Sequence, residues 1–150
     1  MKTYTVGNVT FNAPADNITV EKIGLQCWEV RLADPGSEFK TAWIKFVVNN
    51  KEQVASIPQD VMQYYKLAFL GVENPTEKKV IRKFGAHAIE GDLHRATKPA
   101  NQTMEVYRLN QPDGSVIVIN FARADSFASA TAESLFADVA ASIHLTKPAE

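Results

Sequence analysis

Four side chains between positions 87 and 94 carry the densest ligand chemistry in the chain: His87, Glu90, Asp92 and His94. Imidazole nitrogens and carboxylate oxygens are the donors that hold zinc or manganese. A carboxylate pair such as Glu90 and Asp92 is also a means of general acid–base catalysis. On an extended segment, Glu90, Asp92 and His94 project from one face and His87 from the other. Same-face neighbours then stand about 6.6–6.8 Å apart at ~3.3 Å rise per residue. Zinc ligands converge at ~2 Å, so two of the three side chains can share a metal ion and all three hardly can. The plainer expectation is a solvated sheet edge carrying charges. Glu90, Asp92 and His94 remain the candidate metal ligands; no cofactor and no catalytic residue is assigned.

The other reactive groups stand singly. Cys27 is the lone cysteine, which rules out an internal disulfide. Between Gln26 and Trp28, in a strand-like run, it reads as a small packed side chain. A Cys–His nucleophile pair needs a histidine within hydrogen-bond reach, and nothing local activates this thiol. His144 follows the last apolar stripe and suits the carboxyl end of a helix. The chain has no Gly-x-Gly-x-x-Gly, P-loop, Gly-x-Ser-x-Gly or His-Glu-x-x-His motif.

The elements that position these groups follow from periodicity. The stretch Met104-Glu-Val-Tyr-Arg-Leu-Asn-Gln-Pro-Asp-Gly-Ser-Val-Ile-Val-Ile-Asn-Phe121 predicts a hairpin turning at Pro112-Asp113-Gly114. Its second arm is β-branched without a break from Val116 to Ile119. A sheet with one wet face alternates apolar and polar residues. This arm does not, so the sheet needs a cover on both sides.

Tyr4-Thr-Val6 and Val9-Thr-Phe11 predict paired short strands around Gly7-Asn8. A strand is expected at Ile18-Thr-Val20. Cys27 to Leu32 alternates, with Trp28, Val30 and Leu32 inward and Glu29 and Arg31 outward. Asp34-Pro-Gly-Ser37 is a turn, and Trp43 to Val48 a buried strand. A helix is predicted from Pro58 to Leu70, with Gly71 as its terminator and Val61, Met62, Tyr65, Ala68 and Phe69 on one stripe. Lys79 to Phe84 is a strand; Lys78-Lys79 and Arg82-Lys83 are expected to solvate an edge. Gly85 to His94 continues as an extended segment with two glycine breaks. The closing helix, Thr131 to Ser142, has the stripe Ala132, Leu135, Phe136, Val139, Ala140 and Ile143.

One helix for each face gives an α+β fold: a three-layer α/β/α sandwich, a mainly antiparallel central sheet of six or seven strands, and two main helices. The rival is an α+β plait with both helices on one side. The 150 residues form a single domain with no linker-like division, and 45% hydrophobic with 22% charged residues excludes general disorder. Sixteen basic against seventeen acidic residues leave a net charge of -1, without the basic excess of a nucleic-acid binder. No apolar run approaches the ~18–20 residues of a membrane-crossing helix, and the first residues lack a signal-peptide core. The chain as written is expected in the cytoplasm; a trimmed leader would make it periplasmic or lipoprotein-derived.

The pattern resembles the PsbP-like superfamily of α/β/α sandwiches, which includes DcrB-like proteins and type VI effector-associated chaperones. The opening strands running into Pro14 look like that family's start. Gly85-Ala-His-Ala88 is similar to its Gly-x-x-Ala step, and Phe136-Ala-Asp-Val-Ala-Ala-Ser-Ile-His-Leu145 to its last helix and short terminal strand. Asn17 departs from the tryptophan that often follows the opening proline.

The resemblance implies a non-catalytic accessory or chaperone-like binding module engaging a protein, peptide or apolar ligand. It implies a protein or peptide partner and allows a homodimer. The aromatics Tyr4, Trp43, Tyr64 and Tyr107 are candidates for an exposed binding surface. The alternatives are a small metal-assisted enzyme using Glu90, Asp92 and His94, or an exported accessory domain lacking its leader.

Overall fold

A strand that is β-branched at every position from Val116 to Ile119 needs cover on both sides, and it has it. The structure is a computed structural model describing residues 2–6, 9–14, 18–24, 26–33, 41–56, 78–96, 101–111, 114–126 and 129–145. Its strands, in chain order, are β1 (Lys2–Val6), β2 (Val9–Ala13), β3 (Ile18–Gly24), β4 (Cys27–Ala33), β5 (Thr41–Asn49), β6 (Lys78–Phe84), β7 (His87–Ala96), β8 (Gln102–Asn110), β9 (Val116–Ala124) and β10 (His144–Leu145). The helices among the described residues are α1 (Lys51–Ala55) and α2 (Ser129–Ser142). The predicted helix from Pro58 to Leu70, the turn at Asp34 to Ser37, and Tyr64 lie outside the described residues.

Seven strands form the central sheet in the order β3-β4-β5-β9-β8-β7-β6, every pair antiparallel. The β8–β9 hairpin pairs Tyr107 with Ile119 and Asn110 with Val116. At its tip the Gln111 N–H donates to Ser115 O and the Gly114 N–H to Gln111 O, with Gly114 at φ +87°. That left-handed backbone suits a residue without a Cβ.

The N-terminal hairpin does not join this sheet. β1, β2 and β10 form a second, three-stranded sheet. Phe11 of β2 stacks on Phe46 of β5, with ring centroids 5.3 Å apart, and Tyr4 stacks on Phe11 in turn.

The small sheet and α2 together cover one face. Five of the six residues of the α2 stripe predicted from the sequence are buried: Ala132, Leu135, Phe136, Val139 and Ala140 pack with Ile44, Phe46, Ile119 and Phe121, while Ile143 lies just past the helix and is half-buried. The opposite face has its own cluster, in which Cys27, Val47, Met104, Val106, Val116, Val118 and Ala122 are buried and Val54 of α1 packs on them. The helices therefore lie on opposite sides. The fold is an α+β sandwich, three layers deep, with a seven-stranded antiparallel sheet in the middle. No helix among the described residues is long and apolar enough to cross a membrane.

Two local readings need correction. Glu29, expected outward, is buried beside Arg31 with an ion pair at 3.1 Å. It points to the second face, and that face is covered rather than wet. α1 was not anticipated either. Asn50 begins it through a capping box, its side chain accepting from the Gln53 N–H while the Gln53 side chain accepts from the Asn50 N–H.

Candidate functional site

β7 carries the ligand-rich cluster, but it is not the sheet edge that the sequence suggested. It is the second strand in, hydrogen-bonded to β6 on one side and β8 on the other. Glu90, Asp92 and His94 do share one face; Glu90 is exposed, whereas Asp92 and His94 are buried. The ladder sets Asp92 opposite Lys79 and Val106, and His94 opposite Met104. Lys79 Nζ reaches Asp92 Oδ1 at 2.5 Å. This hydrogen bond and the carboxylate charge raise the Lys79 ammonium above its usual range. Among the described residues no three His, Cys, Asp or Glu side chains gather closely enough to hold a metal ion. A straight strand spreads its same-face groups, and here nothing curls them back together.

Cys27 sits in the second-face cluster, opposite Val47. Burial pushes its thiol up, Lys45 pulls it down and Glu29 raises it further, leaving the net shift upward. A thiol held protonated in this way is a packing group rather than a nucleophile. His144 opens β10: its Nε2 lies 2.7 Å from Thr10 Oγ1 and its Nδ1 lies 3.2 Å from Ser142 O. The imidazole thus ties the end of α2 to β2, as its place after the apolar stripe suggested.

A cavity of about 730 Å³ opens where the β6–β7 turn, the tip of the β8–β9 hairpin and the end of α2 meet. Its apolar lining comes from Phe84, Ile89, Leu109, Ile117 and Ile143. Polar groups also line it: His87, Asn110, Gln111 and His144. Strand phase explains this division. Ile117 pairs with Leu109, both projecting to the α2 face, and Phe84–His87 is the last pair before the turn. Gly85 forms that turn at φ +64° and its N–H donates to Ala140 O at 3.1 Å, pinning the cavity wall to α2. The volume lies within the range of small-ligand pockets, which are mostly apolar with a few polar groups that fix orientation.

Further along the same face lies a charge cluster that sequence reasoning missed. Arg82 was expected to solvate the edge with its lysine neighbours. Instead its side chain is only 11% exposed and turns inward. Its Nη1 and Nη2 bond both carboxylate oxygens of Glu133 at 2.8 and 3.0 Å, and Nη2 also reaches Glu105 at 3.2 Å. Its guanidinium carbon lies 5.0 Å from the Phe121 ring centroid and 5.8 Å from that of Phe136. Burial alone would lower the Arg82 pKa; the hydrogen bonds and charges of Glu133 and Glu105 outweigh it and hold the group above its ordinary value.

Tyr107 donates its hydroxyl to Glu105. Burial first, and then this bond and the Glu105 charge, push the phenol well above its usual range. A second cavity of about 360 Å³ lies beside the cluster, lined by Glu105, Arg123 and Glu133 with Phe121 and Phe136. Gly91, expected as a break, is part of this packing: it stays within β7, and a Cβ there would stand 2.5 Å from the Tyr107 ring.

Of the aromatics proposed for a binding surface, Tyr107 is fully buried and Tyr4 and Trp43 are half-buried. The signal for Arg82 was present in the chain, since Val80, Arg82 and Phe84 form the inward stripe of β6 at period two. The large cavity had no local signal, because it forms only where three separated segments meet.

No family model matches this chain, and no curated protein does. Among solved structures, it is similar to a protein from Bacteroides thetaiotaomicron VPI-5482, with a TM-score of 0.57 and 11% sequence identity. The match covers 95% of this chain and 47% of that one, so this chain spans about half the length of that protein. At that identity the likeness concerns the fold alone.

Proposed function

We propose that this protein is a non-catalytic, chaperone-like binding module that holds an apolar ligand or an apolar peptide segment in the cavity beside the β6–β7 turn. The observation that carries this reading is the division of its wall. Phe84, Ile89, Leu109, Ile117 and Ile143 offer apolar area, while His87, Asn110 and Gln111 offer a few polar groups. Such a site releases water from apolar surface while the polar groups orient one end of the guest. The resemblance to the PsbP-like superfamily supports the same class of role, because its members are mostly accessory or binding proteins. No observation favours the metal-assisted alternative, since Asp92 is already engaged by Lys79.

The test is a methyl-detected NMR titration of the whole chain with decanoate and, separately, with a short leucine-rich peptide. Saturable shifts at Ile89, Leu109, Ile117 and Ile143, abolished by Leu109→Asp, are the expected result. If those methyls stay still at millimolar guest, or shifts gather elsewhere on the fold, the reading is wrong.

A further inference from the structure

β6 ends the central sheet, and among the described residues no strand pairs with its outer edge. It reads Lys78-Lys-Val-Ile-Arg-Lys-Phe84, four cations in seven positions and no acid. Lysines on an edge ordinarily keep other strands away. Ile81 breaks that pattern. It is 70% exposed, more than any other large hydrophobic among the described residues, and lies midway between Lys79 and Lys83 on the face turned from α2. Lys79, Ile81 and Lys83 share one face at period two, so an exposed apolar side chain stands between two cations.

Among the described residues, the charges of β6 are met on the inner side only. Lys79 reaches Asp92 on β7, Ile81 has the exposed Glu90 as its ladder partner, and Arg82 is held by Glu105 and Glu133. Lys78 and Lys83 are exposed and make no ion pair among the described residues. A second copy of the chain is a poor occupant. Antiparallel pairing of two β6 strands about Ile81 would set Lys79 against Lys83 twice, and like charges directly opposite each other destabilise a ladder.

We propose that the outer edge of β6 docks an extended acidic segment of a partner protein. The segment adds to the sheet as an eighth strand, with an apolar side chain opposite Ile81 and carboxylates opposite Lys79 and Lys83. Backbone hydrogen bonds supply affinity in such an addition, and alternate side chains supply specificity. Across the new edge the charges would alternate as Asp92, Lys79 and a partner carboxylate. Lys79, Ile81 and Lys83 are not among the residues lining the large cavity, so this proposal stands apart from the one above.

The experiment uses the whole chain and an acetylated, amidated peptide, Thr-Glu-Thr-Val-Thr-Glu-Thr, beside a version with lysine for both glutamates. Isothermal titration calorimetry reads binding, and amide hydrogen exchange reads its place. The acidic peptide should slow exchange along β6 and bind more weakly as salt screens the charges. The lysine peptide should bind about five-fold more weakly, as exposed charge pairs allow. Lys83→Glu should weaken the acidic peptide by about the same factor and improve the lysine peptide. Ile81→Thr should weaken the acidic peptide without lowering the melting temperature. Equal binding of both peptides, binding that leaves β6 unprotected, or concentration-dependent self-association that protects β6 would each overturn the proposal.

Discussion

The two faces of the central sheet are both buried, but by different chemistry. On the α2 face the rows read across the strands as Val20, Val30, Ile44, Phe121 and as Trp28, Phe46, Ile119, Tyr107. Phe121 lies with its ring centroid 5.1 Å from Phe136, 5.8 Å from Tyr107 and 5.9 Å from Phe84. The opposite face has smaller apolar groups, and one row across it runs Glu29, Lys45, Asn120, Val106, Asp92, Lys79. Apolar stabilisation scales with the area removed from water, so stability concentrates on the α2 face. The second face must instead find partners for the polar groups that it buries.

Paired truncations test that division most strongly. Phe121→Ala should cost about 4 kcal/mol in urea unfolding, because several rings lose their common neighbour. Val118→Ala, equally buried on the other face, should cost about 2 kcal/mol. Equal losses, or the reverse order, would break the comparison. Arg82→Ala comes next, at about 3 kcal/mol, since it removes the cation held by Glu105 and Glu133 and uncovers two ring faces. Arg82→Met should recover part of that loss by covering the rings again. A cost under about 0.5 kcal/mol for Arg82→Ala would return Arg82 to the ordinary surface cations.

The architecture was legible because it is written in absences as well as in patterns. The unbroken run Val116 to Ile119 has no polar residue to spare for water, and that alone required two covered faces. The α2 stripe was legible from its spacing, and its residues from Ala132 to Ala140 are the buried ones. The same logic failed at Glu29 and Asp92, because a polar residue marks a wet face only when one face is wet. Once both are covered, alternation still gives the side but no longer gives exposure. Arg82 shows the complementary error: its neighbours Lys79 and Lys83 point the other way, and composition hid the phase. Asn50 and Gln53 have the capping-box spacing of α1, but a five-residue helix is too short to show an apolar period. The large cavity depends on which strand ends meet, a long-range fact that no local window contains.

Tyr107 gives a pH-dependent view of the α2 face. Its phenol is raised above the ordinary value of 10.0, by burial first and then by Glu105. The folded protein keeps this proton where the unfolded chain releases it. The associated stabilisation is therefore complete below about pH 10 and is lost as the pH climbs beyond it. Cys27, raised by burial on the other face, adds a decline of the same sign. Tyr107→Phe should cost about 1 kcal/mol at neutral pH, the worth of one hydrogen bond, and should flatten the alkaline decline without abolishing it. The urea midpoint measured from about pH 8 to about pH 11 reads both. An unchanged alkaline slope would mean that Tyr107 titrates as it does in the unfolded chain.

Asn120 sharpens the comparison from the second face with the smallest effect and the opposite sign. It is fully buried at the middle of β9; its Nδ2 lies 3.8 Å from Met104 Sδ, and among the described residues its Oδ1 has no hydrogen-bond partner. A buried acceptor without a partner loses its water and gains nothing in return. Valine removes that acceptor, suits a central strand and fills much of the same space. Asn120→Val should therefore stabilise the fold by about 0.5–1 kcal/mol, whereas Asn120→Ala should gain less because it leaves a void. A loss of stability with valine would show that the amide is bound, and that the second face is held by a connected polar network rather than by apolar packing that tolerates one stray amide.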